Sequence, residues 1–319
     1  MSRVLVTGGA GFIGSNFIRR LLAADPNVTV TNLDLLTYAG VGGTVDELNA
    51  LDRHELVLGD IRDRSLVDSL VAGADAVVHF AAESHVDRSI AGPEVFLSTN
   101  VVGTGVLLDA AVRHRVSRFV HVSTDEVYGP IASGSAGEQA PLRPSSPYAA
   151  SKAAADLLVE AYRTTYGYEA VITRSTNNYG PYQHPEKLIP LAITKLLAGD
   201  PIPIYGDGRQ ERDWLWVDDH CAALHLLLDD GEPGEIYNIG ADTQTRNIDV
   251  ADSLIEIVGF GLIAHIEDRP GHDRRYAIDS TKVRNLGWRP TVGLEEGLER
   301  TVAWYRDRRD WWAPLVAEA

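Results

Sequence analysis

A chain of 319 residues with 45% hydrophobic content can bury a sizeable core, and its length favours two domains or one large domain with a substrate lobe. Its formal charge of -16, from 45 acidic against 29 basic residues, repels nucleic acid and anionic membranes at long range and leaves a small anionic ligand open, because local arginines and helix N-termini can still bind diphosphate. The single cysteine, Cys221, rules out an internal disulfide, no Cys/His cluster has metal-like spacing, and Met1–Thr7 enters a strand-like run without a signal-type apolar stretch, so a soluble cytoplasmic protein is expected.

Short β-branched runs at Val4–Thr7, Val28–Leu33, Glu55–Leu58, Ala76–Phe80, Arg118–Ser123 and Ala170–Arg174 alternate with longer amphipathic stretches that include Ile13–Ala23, Pro93–His114 and Pro147–Tyr166. Pro93 and Pro147 stand where helices start, and the alternation predicts a Rossmann-type, doubly wound parallel sheet with helical crossovers. After Arg174 the composition changes to Asn-Asn-Tyr-Gly-Pro-Tyr at 177–182 and a Pro/Gly cluster at 199–208, the start of a smaller α/β substrate-binding unit. Helix-like Asp218–Leu228 and strand-like Glu235–Ile239 return to the sheet. The expected division is therefore residues 1–174 plus about 213–240 for the first domain, and about 175–212 plus 241–319 for the second.

Gly8-Gly9-Ala10-Gly11-Phe12-Ile13-Gly14 follows the first strand and opens a helix, and Asp34 closes the second strand. Side chains there would keep a pyrophosphate from the helix N-terminus, and Asp34 would accept the adenosine ribose hydroxyls and repel a 2′-phosphate, so NAD is favoured over NADP. A glycine turn that only packs helix on strand is the bland alternative. Asp60 and Ile61 after the third strand, and Ala81 and Ala82 after the fourth, should line the same crevice.

Tyr148 and Lys152 stand four apart on a predicted helix, hence on one face, and a nearby ammonium should favour the tyrosine's phenolate as a base. Thr124, Asp125 and Glu126 directly follow the fifth strand, where one carboxyl can act as acid and the other as base. Taken alone, either motif could be a surface feature: a chance helical pair, or an exposed acidic loop.

These residues resemble the extended short-chain dehydrogenase/reductase superfamily and, within it, the dTDP-glucose 4,6-dehydratases, over nearly the full length. The likeness lies in Gly8–Gly14, Leu36–Gly40, His79–Ile90, Ser123–Gly129, Tyr148 with Lys152, Asn177–Pro190, Arg212–His220 and Asp268–Asp279; the Thr-Asp-Glu triplet separates dehydratases from epimerases of the superfamily. The resemblance implies that Tyr148, helped by Lys152 and Thr124, deprotonates the sugar C4 hydroxyl as hydride passes to NAD+. Glu126 then removes the C5 proton, Asp125 protonates the departing C6 hydroxyl, and hydride returns to C6 to leave a 4-keto-6-deoxy sugar. It also implies that Glu83, Ser84 and His85 lie near the sugar, and that Asn178, Lys187, Leu188, Pro203, Tyr205, Arg212, Asn247, Arg269 and His272 hold the nucleotide diphosphate. As in relatives, helices Gly103–His114 and Pro147–Tyr166 would pair across a homodimer as a four-helix bundle. Two places depart from the family: the loop Val41–Asn49 lacks the usual asparagine-rich continuation, and Ser175 replaces the more usual cysteine. Alternatives are a dehydratase of UDP or GDP hexoses, a nucleotide-sugar 4-epimerase, or a non-catalytic NAD-sensing or scaffold protein on the same fold.

Overall fold

The structure, a computed structural model, describes residues 1–317; the last two residues of the expected second unit lie outside them. The strands are β1 Arg3–Thr7, β2 Thr29–Asp34, β3 His54–Leu58, β4 Ala76–His79, β5 Arg118–Thr124, β6 Val171–Ser175, β7 Asn177–Tyr179, β8 Ile202–Tyr205, β9 Glu211–Trp216, β10 Ile236–Ile239, β11 Gln244–Arg246 and β12 Ile263–Ile266. Seven of them form one sheet in the order β10-β6-β5-β4-β1-β2-β3, with every neighbouring pair parallel. The fold is therefore the Rossmann-type parallel sheet that the alternating pattern predicts.

Alternation along β1 shows why both faces are covered. Val4 and Val6 join a core with Phe17, Ile18 and Leu21 of helix Phe12–Ala24 and with Leu224 and Leu227 of helix Val217–Asp230. Leu5 joins the opposite core with Leu107, Phe119 and Val159. A strand buried on both sides needs apolar residues at every position, which is the pattern of a parallel sheet. A separate apolar cluster, including Ile193, Leu196, Ile204, Trp214, Leu254 and Val302, gathers the later elements beside the small sheets β11-β9-β7 and β12-β8.

Helix Pro147–Tyr166 matches its expected bounds, for local reasons. The Ser146 hydroxyl accepts the Ala149 amide at 3.1 Å, Pro147 fills the first turn, and Gly167 ends the helix at φ 67°; the cap alone contributes about 1 kcal/mol. Pro93–His114 is less regular than its sequence suggests: Pro93–Phe96 leads into a π-helical stretch, Leu97–Gly103, before α-helix resumes at Thr104–His114. The stretch Val41–Asn49, read as a loop, is mostly the short helix Gly42–Asn49, whose Thr44, Val45 and Leu48 turn inward. Two glycines at its start, without a side-chain cap, hide it from a propensity reading.

Candidate active site

The strand order reverses at β1, and beyond the carboxyl ends of the strands lies a cavity of about 330 Å³. The glycine loop forms one wall. Gly8 has φ 72°, and a Cβ there would sit 2.6 Å from the Ala81 amide nitrogen; a Cβ on Gly14 would sit 2.4 Å from the Gly8 carbonyl oxygen. These two glycines allow loop, helix and β4 to pack. Gly11 is different: its Cβ would meet only the Gly8 oxygen, at 3.3 Å, and would otherwise occupy the cavity. Above it, the amides of Phe12, Ile13 and Gly14 have no protein acceptor among the described residues, and no acidic side chain occupies the helix's first turn. This cradle fits a pyrophosphate.

Asn32 Oδ1 accepts the Gly9 amide at 3.0 Å, while Asp34 accepts the Ala10 amide at 2.9 Å and the Leu36 amide at 2.8 Å. Burial raises the Asp34 carboxyl above its usual range, against the pull of these amides. Asp60, Ile61, Ala81 and Ala82 line the cavity as well. The Asp60 carboxylate is already forked by Arg62, whose Nη1 reaches Ser98 Oγ at 2.8 Å, and that hydrogen bonding holds Asp60 below the usual carboxylate range.

Thr124, Asp125, Glu126, Tyr148 and Lys152 converge at the cavity's other end. The Thr124 side chain caps a single 3-10 turn, Asp125–Tyr128, by accepting the Glu126 amide at 3.2 Å. Gly129 closes the turn at φ 72°, where a Cβ would lie 2.0 Å from the Arg143 carbonyl oxygen. Asp125 is buried, with Oδ1 3.3 Å from the Thr124 hydroxyl and Oδ2 without a partner among the described residues. Burial, then the Glu126 charge, pushes its pKa far above a normal aspartate. Burial also raises Glu126, but Arg212, Arg269 and Lys187 pull it back. Two adjacent carboxyls thus differ in readiness to hold a proton, as an acid and a base should.

Lys152 Nζ donates to the Val122 carbonyl at 2.8 Å, and burial pushes its pKa down to about 8. The expected lowering of the Tyr148 pKa is not found. Burial, then the Glu126 charge, push it up, and the Thr124 hydroxyl pulls it down only in part.

Of the residues assigned to substrate, Glu83, Ser84, Asn178 and Lys187 line the cavity; His85, Leu188, Pro203, Tyr205, Arg212, Asn247, Arg269 and His272 do not. The Asn178 side chain is largely occupied, with Oδ1 2.8 Å from His220 and Nδ2 donating to the Thr176 carbonyl at 3.0 Å. Lys187 Nζ donates to the Ser84 carbonyl at 3.3 Å. Leu188 and Asn247 begin helices Leu188–Ala198 and Asn247–Val258, and Pro203 lies in β8. Arg269 and Tyr205 meet at Asp87, 3.4 and 3.3 Å away, while His272 packs edge-on against Tyr205 and pairs with Asp268 at 2.6 Å. His85 Nε2 is 3.6 Å from Glu186. Arg212 donates to the Glu211 and Asp273 carbonyls, and its charge still reaches Glu126.

Asn100 was missed by the sequence reading. It stands in the π-helical stretch, donates to the Glu83 carbonyl at 3.0 Å and to Ser151 Oγ at 2.8 Å, and accepts the Glu83 amide at 2.8 Å, so it ties the cavity rim to the Tyr148 helix. The polar run Ser98-Thr99-Asn100 within an apolar helix was its only signal.

The sequence pattern of the family described as GDP-mannose 4,6 dehydratase matches residues 5–301. A dTDP-glucose 4,6-dehydratase of Streptomyces niveus is 52% identical over 320 residues, covering 98% of this chain and 95% of the relative. Among solved structures, a Streptomyces venezuelae dTDP-glucose 4,6-dehydratase with NAD and TYD bound is 54% identical with a TM-score of 0.95, covering 98% of this chain and 99% of that one. A Thermotoga maritima UDP-glucose 4-epimerase with UDP-glucose shares the fold at 30% identity and TM-score 0.90, covering 96% and 99% of the two chains. Sequence pattern, relatives and crevice agree: the chain belongs to the GDP-mannose 4,6 dehydratase family of the short-chain dehydrogenase/reductase superfamily, in its dTDP-glucose 4,6-dehydratase branch.

Proposed function

We propose that this chain is an NAD-dependent dTDP-glucose 4,6-dehydratase, a hydro-lyase of deoxysugar biosynthesis that converts dTDP-D-glucose to dTDP-4-keto-6-deoxy-D-glucose and water. The observation that carries the proposal is the unequal carboxyl pair Asp125 and Glu126 beside Tyr148 and Lys152. An epimerase has no use for such a pair, and a scaffold protein has no use for the four groups together. Gly8, Gly11, Phe12, Ile13, Gly14, Asp34, Asp60, Ile61 and Ala81 would hold the cofactor. Bound NAD supplies a hydride acceptor and a positive charge, which favours a phenolate that the two carboxyls disfavour. Tyr148 Oη takes the proton of the C4 hydroxyl, with Lys152 supporting the anion and Thr124 holding the phenol. Oxidation at C4 acidifies the C5 proton, which the Glu126 carboxylate removes. Asp125, kept protonated by burial, gives its proton to the C6 hydroxyl so that it leaves as water.

The division into an NAD unit, residues 1–174 plus about 213–240, and a sugar-nucleotide unit, about 175–212 plus 241–319, belongs to this proposal and is supported by the separate apolar clusters. So does a homodimer through a four-helix bundle. Pro93–His114 is long and apolar enough to cross a membrane, yet half of its apolar stretch is buried in this fold. Its Leu97 and Val102, with Leu157 of the neighbouring helix, are each more than half exposed and suit a second copy of the chain. A cytoplasmic location suits the lone buried thiol of Cys221. The test is to incubate purified protein with dTDP-, UDP- and GDP-hexoses and weigh the products: only the dTDP-hexose should lose one water, and deuterium at C4 should reappear in the new methyl group. Deuterium lost to solvent refutes the mechanism.

A further inference from the structure

Arg174 heads the large, fully buried side chains, at 2% exposure, and sits on β6 inside the sheet. A guanidinium so placed is stable only if its donors are used. Its Nε donates to Asp156 Oδ2 at 2.8 Å; its Nη1 donates to the Tyr128 hydroxyl at 2.8 Å and to the Glu138 carbonyl at 3.1 Å. Asp156 lies four residues beyond Lys152 on the same helix and is fully buried, with Oδ1 3.3 Å from His121 Nε2. Tyr128 ends the turn that Asp125 begins, and its hydroxyl donates to Asn238 Oδ1 on β10 at 2.9 Å. The mechanism above assigns no task to Arg174, Asp156 or Tyr128.

We infer that Arg174 is a positioning residue that locks the helix bearing Tyr148 and Lys152 to the turn bearing Asp125 and Glu126, holding Asp156 on one side and Tyr128 on the other. The inference rests on the dehydratase reading, in which the helix serves oxidation and the turn serves elimination on one bound sugar. Such chemistry tolerates little play, since misplacement by about 1 Å can cost on the order of a hundredfold. A planar fork can hold two partners in fixed directions; a lysine could not replace it. The clamp also carries charge. Lys152 and Asp156 face His121 from β5, His79 from β4 and Arg174 from β6, while Asp125 and Glu126 of the turn act on Tyr148 one helical turn earlier; Asp156 is the group that favours the Lys152 ammonium.

The experiment first establishes water loss by the unaltered enzyme; without it the dehydratase reading fails before the clamp is tried. Tyr128→Phe then cuts one arm without changing charge. Elimination should slow by about tenfold or more while C4 oxidation proceeds, so that near-ultraviolet absorbance of reduced nicotinamide builds up. NAD affinity, read by fluorescence quenching, should stay close to the unaltered value, and the variant should stay folded with a lowered thermal midpoint, since buried Arg174 and Asn238 each lose a partner. Asp156→Asn cuts the other arm and removes the charge behind Lys152, so the alkaline limb of the oxidation rate should move to lower pH by on the order of one unit. Arg174→Met leaves the Asp156 charge uncompensated and should move that limb the opposite way. A folded Tyr128→Phe enzyme that keeps both half-reactions in their original ratio overturns the inference, as do charge variants whose limbs move together or not at all. Where a charge variant fails to fold, the Tyr128→Phe ratio decides.

Discussion

Replacing Asp125 with asparagine separates its role as acid from its role in packing. The side chain is 3% exposed, and among the described residues its Oδ1 meets only the Thr124 hydroxyl, at 3.3 Å, and its Oδ2 has no partner. Because burial and Glu126 keep it protonated, the substitution swaps one neutral group for another of the same shape, and the hydrogen-bond cost is about 1 kcal/mol at most. Linkage makes the sign of the stability change explicit. A carboxyl whose folded pKa is raised binds its proton more tightly when folded, so stability is lost as pH rises above its unfolded value of 3.8. The variant escapes that loss and should melt no lower than the unaltered protein at neutral pH. Its chemistry should suffer, because general-acid help is commonly about 10²–10⁴ in rate, or about 3–5 kcal/mol of barrier. Single-turnover mass spectrometry in deuterated water gives the readout: Glu126 should still exchange the C5 proton while water loss stalls. Water loss within about tenfold of the unaltered rate would refute the assignment of Asp125 as acid.

Lys152, pushed down to about 8 from an ordinary value of 10.5, should give the rate of oxidation an alkaline limb near pH 8. A buried lysine sheds its proton more easily when folded, so its deprotonation adds stability between those two values, and a melting scan over that range should show no loss traceable to Lys152. Gly8→Ala adds a left-handed strain of about 1–2 kcal/mol and a backbone clash of about 1–3 kcal/mol; calorimetry should find weakened NAD binding and a lowered thermal midpoint. Asp219 accepts the Thr291 amide at 2.9 Å, the Thr291 hydroxyl at 2.7 Å and the Val292 amide at 3.0 Å. Asp219→Ala should cost about 2–4 kcal/mol in urea unfolding and leave NAD affinity unchanged.

What the sequence made legible was local. The β-branched runs and the glycine loop carry their structure in adjacent residues, and Ser146, Pro147 and Gly167 mark both ends of one helix. The π-helical stretch at 97–103 was hidden because it is set by what Asn100 reaches across the fold, at Glu83 and Ser151. The helix at 42–49 was hidden by Gly42 and Gly43, which argue locally for a turn while Val45 and Leu48 are drawn inward by packing. Motif spacing located Tyr148 and Asp125. It gave the wrong direction for the tyrosine's titration, since that is set first by burial and then by the Glu126 charge, which arrives from the end of β5. The partners of Arg174 lie 18, 36 and 46 positions away, beyond any local pattern.

The place of β10 at the rim of the large sheet bears on how the polypeptide emerges during synthesis. Its hydrogen-bonding neighbour, β6, is complete by Ser175, yet Ile236 is made only after the ribosome has passed through β7, β8 and β9. In that interval β6 presents an open ladder to solvent, the kind of template on which nascent chains stick to one another. Asn238, which accepts from the Tyr128 hydroxyl, arrives with β10, so the chain covers the edge of β6 and ties down the turn Asp125–Tyr128 in a single late event.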